Sequence, residues 1–194
     1  MLLLDTSQYP VGEREEMIRE GLAELAGVQV QPNAGDGPIK MRLRAWDMGD
    51  GCNLVDTESS GYRFLRPPSD FSADSPVVGF AMIPAGTCRF SQHDRHEIVP
   101  SGGLFIVDMT DAYDYQFSQV CDGANLIVPL EVLDIPLRDV RKAAQRLPRS
   151  PLYGLASRHL CTLLRHTKEF DAPHPSAQQA ALHMLRALVK SFDD

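Results

Sequence analysis

The chain has 194 residues, of which 43% are hydrophobic and 23% are charged. This size and composition predict a soluble globular protein with one well-buried core, or with one core and a helical appendage. The formal net charge of −7 argues against DNA binding through the overall field of the chain, because phosphate contacts need clustered Lys and Arg side chains. It does not exclude a local basic patch.

The sequence predicts a cytoplasmic protein without a membrane segment. Its opening Met-Leu-Leu-Leu is followed at once by Asp5, so no signal-peptide core is formed. No apolar run approaches the roughly 20 residues that a membrane helix needs. The four cysteines are scattered, with no C-x-x-C pair, which indicates reduced thiols.

Strand patterns dominate the chain as far as residue 130, after one predicted helix over residues 11–26. Residues 39–48 alternate apolar and polar side chains as a half-buried strand does, except that Trp46 falls on the other parity. The sequence Gly49-Asp50-Gly51 indicates a tight hairpin. Further strands are predicted over residues 28–31, 52–56, 62–64, 77–83 and 125–130.

The central stretch of the chain, residues 86–118, has the pattern of a β-meander. Breakers at Pro100 to Gly103 separate a predicted strand pair from the apolar run Leu104 to Asp108. Tyr113, Tyr115 and Phe117 then alternate with polar residues, as in a strand with one covered face. A meander of this kind needs a partner sheet, which predicts a β-sandwich or a small barrel.

This stretch resembles the sensor half of AraC-type (AraC/XylS) transcription regulators. The resemblance is carried by the order of its features across most of the chain, with Asp94 where the family usually has a glycine. Asp is compatible with turn geometry there. The matching residues are Gly86, Gln92, Arg95, Pro100, Gly102 or Gly103, Leu104 to Asp108, and Tyr113.

The resemblance implies a mainly β fold with α elements: a cupin-like β-barrel, or double-stranded β-helix, with an N-terminal helix and a C-terminal antiparallel helical hairpin. It further implies a small-molecule effector inside the barrel, a homodimer formed by the hairpin, and a following DNA-binding segment with two helix-turn-helix units. Nothing in this chain fits that segment. We therefore expect a sensor half whose DNA contacts depend on a separate C-terminal domain.

The domain organisation that follows has a helix and an effector-binding barrel over residues 1–130, a connector over 131–150 and a dimerising hairpin over 151–194. The connector carries a basic stretch that could be a contact surface for DNA or a neighbouring domain, or simply a solvated helix face. Each hairpin helix has a broad apolar stripe. The residues predicted at the dimer interface are Leu160, Leu164, Leu182, Leu185 and Leu188.

Aromatic and basic residues on the predicted strands are candidates for the effector site, because small-molecule sites combine apolar walls with a few polar groups. They would suit a small, partly apolar ligand that could be anionic, although the aromatic residues could equally be core packing. Parity alone does not say which faces point inward. The predicted ligand-binding residues are Trp46, Tyr62, Phe64, Phe80, Met82 and Arg89.

The sequence predicts neither a metal site nor a catalytic site. His93 and His96 stand three apart across a predicted turn, whereas metal-binding cupins place two His at alternate positions of one strand. No nucleophile elbow, P-loop or dinucleotide fingerprint is present. Two alternatives remain: a stand-alone cupin-like enzyme, such as an isomerase or metal oxygenase, and a freestanding module that binds an effector or a full-length regulator.

Overall fold

A computed structural model describes residues 1–26, 28–32, 40–67, 76–118, 121–174 and 176–192. The described strands form two sheets in which every pairing is antiparallel. Residues 33–38 and 69–76, which their turn-rich and polar sequences predict to be loops, lie outside the described residues except for Pro76.

The first sheet has six strands in the order β1-β3-β4-β11-β6-β9. The predicted hairpin between β3 and β4 is confirmed: Gly49 pairs with Cys52, and Asp50 and Gly51 both have positive φ, as a type I′ turn requires. The strands are β1 (Leu2–Asp5), β3 (Met41–Gly49), β4 (Cys52–Ser59), β6 (Val77–Ala85), β9 (Leu104–Asp108) and β11 (Cys121–Pro129).

The second sheet has five strands in the order β2-β5-β10-β7-β8. The predicted strand pair of β7 and β8 is confirmed. The predicted meander is wrong, because the apolar run of β9 crosses to the first sheet, where both of its faces are buried, and β10 pairs with β7 instead. The strands are β2 (Gln29–Pro32), β5 (Tyr62–Arg66), β7 (Thr87–Gln92), β8 (Arg95–Pro100) and β10 (Tyr113–Phe117).

The first helix lies between β1 and β2, and the other helices follow β11. The residues predicted as a connector form two further helices rather than irregular chain, because Val140, Ala143 and Leu147 have a surface to pack against. The helices are α1 (Arg14–Ala26), α2 (Leu130–Leu133), α3 (Leu137–Ala144), α4 (Tyr153–Phe170) and α5 (Ala177–Lys190).

Two hydrophobic cores result, one on each face of the first sheet. The inner core lies between the sheets and includes Met41, Ile83 and Phe105, with α1 closing it through Ile18 and Leu22. The outer core lies between the first sheet and the helices α2 to α5, and includes Leu54 and Leu126. Because both faces are buried, β6 and β9 are apolar at both parities, as the continuous run of residues 77–83 predicted.

Candidate functional site in the inner core

A cavity of about 200 Å³ remains in the inner core. The first sheet, the second sheet and the N-terminal segment each contribute to its wall. The lining residues are Leu3, Leu22, Val28, Leu43, Val55, Thr57, Phe64, Ala81, Met82, Ile83, Phe105, Met109, Tyr113, Tyr115, Phe117, Gly123, Ala124, Asn125 and Ile127.

The cavity exists because the central strands of the first sheet carry small residues at inward positions. On β6 these positions are Gly79 and Ala81, and on the adjacent strand β11 they include Gly123. A side chain on Gly123 would come within 3.0 Å of the Phe117 ring across the barrel. The glycines at these positions therefore make room for the facing Phe117 ring and the Asn125 amide, and the cavity lies beside them.

Aromatic residues form the opposite wall. Tyr113, Tyr115 and Phe117 alternate along β10, so all three point inward from the same face of the second sheet. Phe64 of β5 meets Phe117 edge to face at 5.4 Å between ring centroids, and the Tyr115 and Phe117 rings are stacked at 6.0 Å. These mutually packed rings make a rigid apolar surface.

Few polar groups reach the cavity. Thr57 and Asn125 lie diagonally across the β4–β11 pair, where Thr57 is opposite Gly123 and Asn125 is opposite Val55. The Asn125 Oδ1 atom is buried and has no hydrogen-bond partner. An unpaired buried amide oxygen is costly in a protein interior.

The electrostatic environment of the cavity is neutral. Of its lining residues only Tyr113 and Tyr115 are titratable. Burial raises the pKa of Tyr113, although the nearby Arg66 guanidinium opposes the shift, and burial raises the pKa of Tyr115 well above its ordinary value. Both hydroxyls are therefore protonated near neutral pH.

The structure brings some of the predicted ligand-binding residues to the cavity and leaves others away from it. Phe64 lines the cavity, Met82 borders it, and Tyr62 belongs to the surrounding inner core. Trp46 and Phe80 lie in the outer core. Both have the opposite strand parity to the inward residues Leu43 and Ala81, so their assignment to the pocket is corrected.

The basic residues also lie away from the cavity. Arg89 is exposed on the outer face of β7. Arg63 pairs with Asp114 at 2.7 Å, and Arg44 pairs with Asp56 at 2.7 Å. The described lining residues include no cation, although the Arg66 guanidinium acts on Tyr113 of the wall.

Sequence reasoning missed most of the wall on β10 and β11. The alternation of Tyr113, Tyr115 and Phe117 was recognised, and it did identify one covered face. What it lacked was the position of Gly123 across the barrel, where the missing side chain makes room for the Phe117 ring. For Asn125 the signal was a polar residue between the apolar neighbours Ala124 and Leu126 on a predicted strand.

The leucines predicted to form a dimer interface are buried within the chain. All of them belong to the outer core, where the stripes of α4 and α5 pack with the first sheet and α3. The physical reason is that the outward face of β6, β9 and β11 is itself apolar and needs covering. The corrected residues are Leu160, Leu164, Leu182, Leu185 and Leu188.

The end of β9 connects the cavity wall to the helices. Met109 and Tyr113 line the cavity, while the Asp108 carboxylate receives hydrogen bonds from Thr110 and an ion pair from Arg141 of α3 at 2.6 Å. Gln92 holds the same segment in place. Its amide nitrogen Nε2 donates to the carbonyls of Asp108 and Ala112, and its Oε1 accepts from the Asp108 backbone N–H.

A second, polar groove of about 560 Å³ lies outside the barrel beside α3. His93, at the tip of the β7–β8 turn, has a φ of 53°, so this residue rather than Asp94 takes the left-handed conformation at the turn. Arg95 pairs with Glu97 and lies over the Phe90 ring. The remaining charged residues of the groove include Asp94, Asp108 and Arg141.

In the described part of the chain, no three His, Cys, Asp or Glu side chains are grouped closely enough to hold a metal ion. Within those same residues, no helix combines the length and the apolar composition that a membrane span requires.

A barrel with an inner cavity and helices packed on one outer face is the architecture of a cupin-like sensor domain. A family model described as AraC-binding-like domain matches residues 23–192. The chain therefore belongs to the AraC-binding-like domain family, the ligand-sensing domains of AraC-type transcription regulators. This regulator-type family points to a non-enzymatic role.

Solved structures with similar folds include the AraC-like transcriptional activator CuxR, with a TM-score of 0.69 and 17% identity over 91% of this chain. The present chain spans 66% of the length of CuxR. The Cupin_2 domain of an XRE family transcriptional regulator from Enterobacter cloacae has a TM-score of 0.37 and 12% identity, covering 45% of this chain and 94% of that domain.

A cupin-2 domain containing protein from Shewanella frigidimarina NCIMB 400 has a TM-score of 0.35 and 12% identity, covering 45% of this chain and 78% of that protein. A search of curated protein sequences found no match.

Proposed function

We propose that the inner cavity binds the effector of an AraC-type regulator and that its occupancy controls a C-terminal DNA-binding domain. The observation that carries this proposal is the cavity of about 200 Å³ between two otherwise packed sheets. Protein interiors rarely keep voids larger than a water molecule, and small-molecule sites in barrels have this concave, mostly apolar form.

The same cavity supports binding rather than catalysis. Its titratable groups, Tyr113 and Tyr115, have raised pKa values, so neither supplies a base near neutral pH. Its remaining polar side chains are those of Thr57 and Asn125. A set of neutral hydroxyl and amide groups can orient a ligand, but it offers no activated nucleophile.

Transmission to the DNA-binding domain would begin at the segment after β9. A ligand that displaces Met109 or Tyr113 would shift the backbone that holds Asp108, and with it the ion pair to Arg141 of α3. Helix α3 packs against α5 in turn, so the signal would reach the C-terminal hairpin. In energetic terms the ligand would favour whichever arrangement of this segment binds it more tightly.

We also propose that the protein acts in the cytoplasm as a homodimer. The dimer proposal rests on the family resemblance, since the leucines predicted at the interface are buried within the chain. The outward face of α4 is the part of the hairpin that retains apolar exposure, with Leu155 47% exposed and Phe170 62% exposed. A second copy of the chain could cover these residues.

Filling the cavity tests the proposed function. We expect Ala81→Leu to abolish the thermal stabilisation given by ligands found in a small-molecule screen, because the added side chain would occupy cavity space. The matched control is Ala85→Leu, on the exposed end of the same strand, which should respond as the wild type does. Equal stabilisation of all three proteins by every ligand found would contradict the proposal.

A further inference from the structure

We propose that the inner cavity selects a neutral cyclic ligand, about the size of a substituted benzene, that carries one hydroxyl or carboxamide group bound by the Asn125 amide. This inference rests on the proposed function, because it names the ligand class of the same site. It depends on the placement of one unpaired amide, on the aromatic wall opposite, and on the charge of the lining.

The Asn125 amide is held in place without being satisfied. Its Oδ1 and Nδ2 atoms lie 2.6 and 2.7 Å from the point that a Cβ on Gly79 would occupy. Only the absence of a side chain at Gly79 therefore lets the amide lie against β6. The Oδ1 atom is buried with no hydrogen-bond partner, and Asn125 is one of the residues that line the cavity, so a ligand that turns the amide towards the cavity can supply the missing partner.

An amide donates through nitrogen and accepts through oxygen, and rotation about its last bond exchanges the two. The complementary ligand group is one that can also donate or accept, which a hydroxyl or a carboxamide does. Thr57, on the neighbouring strand β4, adds a hydroxyl on the same side of the cavity. Apart from the tyrosine hydroxyls, the polar groups of the described lining are thus gathered on the β4–β11 side.

The opposite side sets the shape of the ligand body. Phe64, Tyr115 and Phe117 present packed ring surfaces, which favour a flat apolar group through offset or edge contacts. A volume of about 200 Å³ slightly exceeds the roughly 150 Å³ of an engineered cavity that holds benzene. The ligand body is therefore a single ring with a small substituent.

The lining disfavours a charged ligand. No Lys, Arg or His is among the described residues that line the cavity, and the Arg66 guanidinium, which acts on Tyr113, is not itself one of them. An anion transferred there would lose its hydration without a cation in the described wall to pair with it directly. A carboxylate should consequently bind much more weakly than its amide.

The experiment is a calorimetric titration of toluene, benzamide and benzoate into the wild type, Asn125→Leu and Gly79→Ala. Leucine has nearly the shape of asparagine but lacks the amide. Alanine at residue 79 keeps the amide but pushes it away from β6. Comparing the benzamide-to-toluene affinity ratio between proteins cancels the hydration of the free ligands.

We expect the ratio to fall about tenfold in Asn125→Leu, the factor that corresponds to one well-made hydrogen bond, while toluene still binds. Gly79→Ala should also lower the ratio. Benzoate should bind the wild type at least tenfold more weakly than benzamide.

An unchanged ratio in Asn125→Leu, or benzoate binding as tightly as benzamide, would overturn the inference and leave the cavity as a binding site of another specificity. If neither toluene nor benzamide binds the wild type, the inference fails, whereas the effector site itself is decided by the ligand screen with Ala81→Leu.

Discussion

Two amide side chains on the inner strands have opposite hydrogen-bonding states. Gln92 is buried and fully used, since it donates to two backbone carbonyls and accepts from one backbone N–H. Asn125 leaves its buried oxygen without a partner. A side chain that the fold does not need, placed at a cavity, is the kind of residue that function retains at the expense of stability.

The contrast predicts opposite effects on the free energy of unfolding. Gln92→Leu should destabilise the protein by about 3 kcal/mol, because it leaves buried backbone groups of Asp108 and Ala112 unpaired. Asn125→Leu should be neutral or stabilising, since it removes an unpaired polar atom. Urea unfolding of both variants checks this. Equal destabilisation by the two substitutions would mean that Asn125 has a structural role.

Residue patterns predicted the strands well but not the faces of the strands. Phe64 and Trp46 are both aromatic residues on predicted strands, but Phe64 lines the cavity whereas Trp46 lies in the outer core. The broken parity at Trp46 did indicate that it faces the other side. That side is buried only because the helices pack against it, and local sequence does not encode this packing.

At the scale of elements, a charged cluster fastens α4 to the first sheet. The Lys168 ammonium lies 3.0 Å from Asp56 and 2.8 Å from Glu58, and Arg44 contacts both carboxylates. At the end of the same helix, the Trp46 indole donates to Asp171 at 2.9 Å. This cluster and the indole bond join the barrel to the hairpin through polar contacts in addition to the outer core.

The cluster gives the protein a defined pH dependence. Burial acts to raise the pKa of Glu58, but the hydrogen bond and charge of Lys168, with the charge of Arg44, outweigh it and lower the pKa. A carboxyl with a lowered folded pKa stabilises the fold above its ordinary pKa of 4.5, and this contribution is lost as the pH falls through the folded value.

We therefore expect Glu58→Gln to flatten the decline of unfolding free energy below about pH 4.5, because the variant has no carboxyl there to protonate. Urea unfolding followed by fluorescence of Trp46, the single tryptophan of the chain, provides the measurement. Glu20→Gln on the exposed side of α1 is the control. Identical acid slopes in the wild type and Glu58→Gln would show that Lys168 and Glu58 are not coupled.

The hairpin helices supply a second test at this scale. Leu185 is fully buried in the outer core, whereas Leu155 is 47% exposed. Truncating Leu185 to alanine should cost about 3 kcal/mol of unfolding free energy through lost burial and a residual cavity, and Leu155→Ala should cost less than about 1 kcal/mol. Thermal denaturation distinguishes them, and a comparable loss in both would place Leu155 in a covered interface.

For the whole molecule, the sequence predicted a mainly β barrel with helices before and after it, and the structure and the family agree. The strands over residues 86–118 were predictable because their turn residues and parities are local, whereas the crossing of β9 to the other sheet depends on a distant pairing with β6. The outer core could not be predicted from the sequence, because Leu182 and Leu185 can pack against either a sheet of the same chain or a second chain. The apolar stripe of these helices identifies the face that is buried but not the surface that it packs against.

The homodimer is tested by substitution on the face that remains open. Charged replacements at Leu155 and Phe170 should convert a wild-type dimer to a folded monomer in light scattering, because both side chains are exposed in the single chain. The same replacement at Leu185 should instead unfold the hairpin, which circular dichroism detects. A wild type that is monomeric at tens of micromolar contradicts the dimer.

The central claim, that a small neutral ligand binds inside the barrel, is tested most directly by methyl NMR during titration with benzamide. We predict saturable shifts at the cavity methyls of Leu43, Val55 and Ile127, with no comparable shifts at Ile106 and Val140 of the polar groove beside α3. Saturable shifts confined to that polar groove would contradict the account, as would a spectrum that does not change.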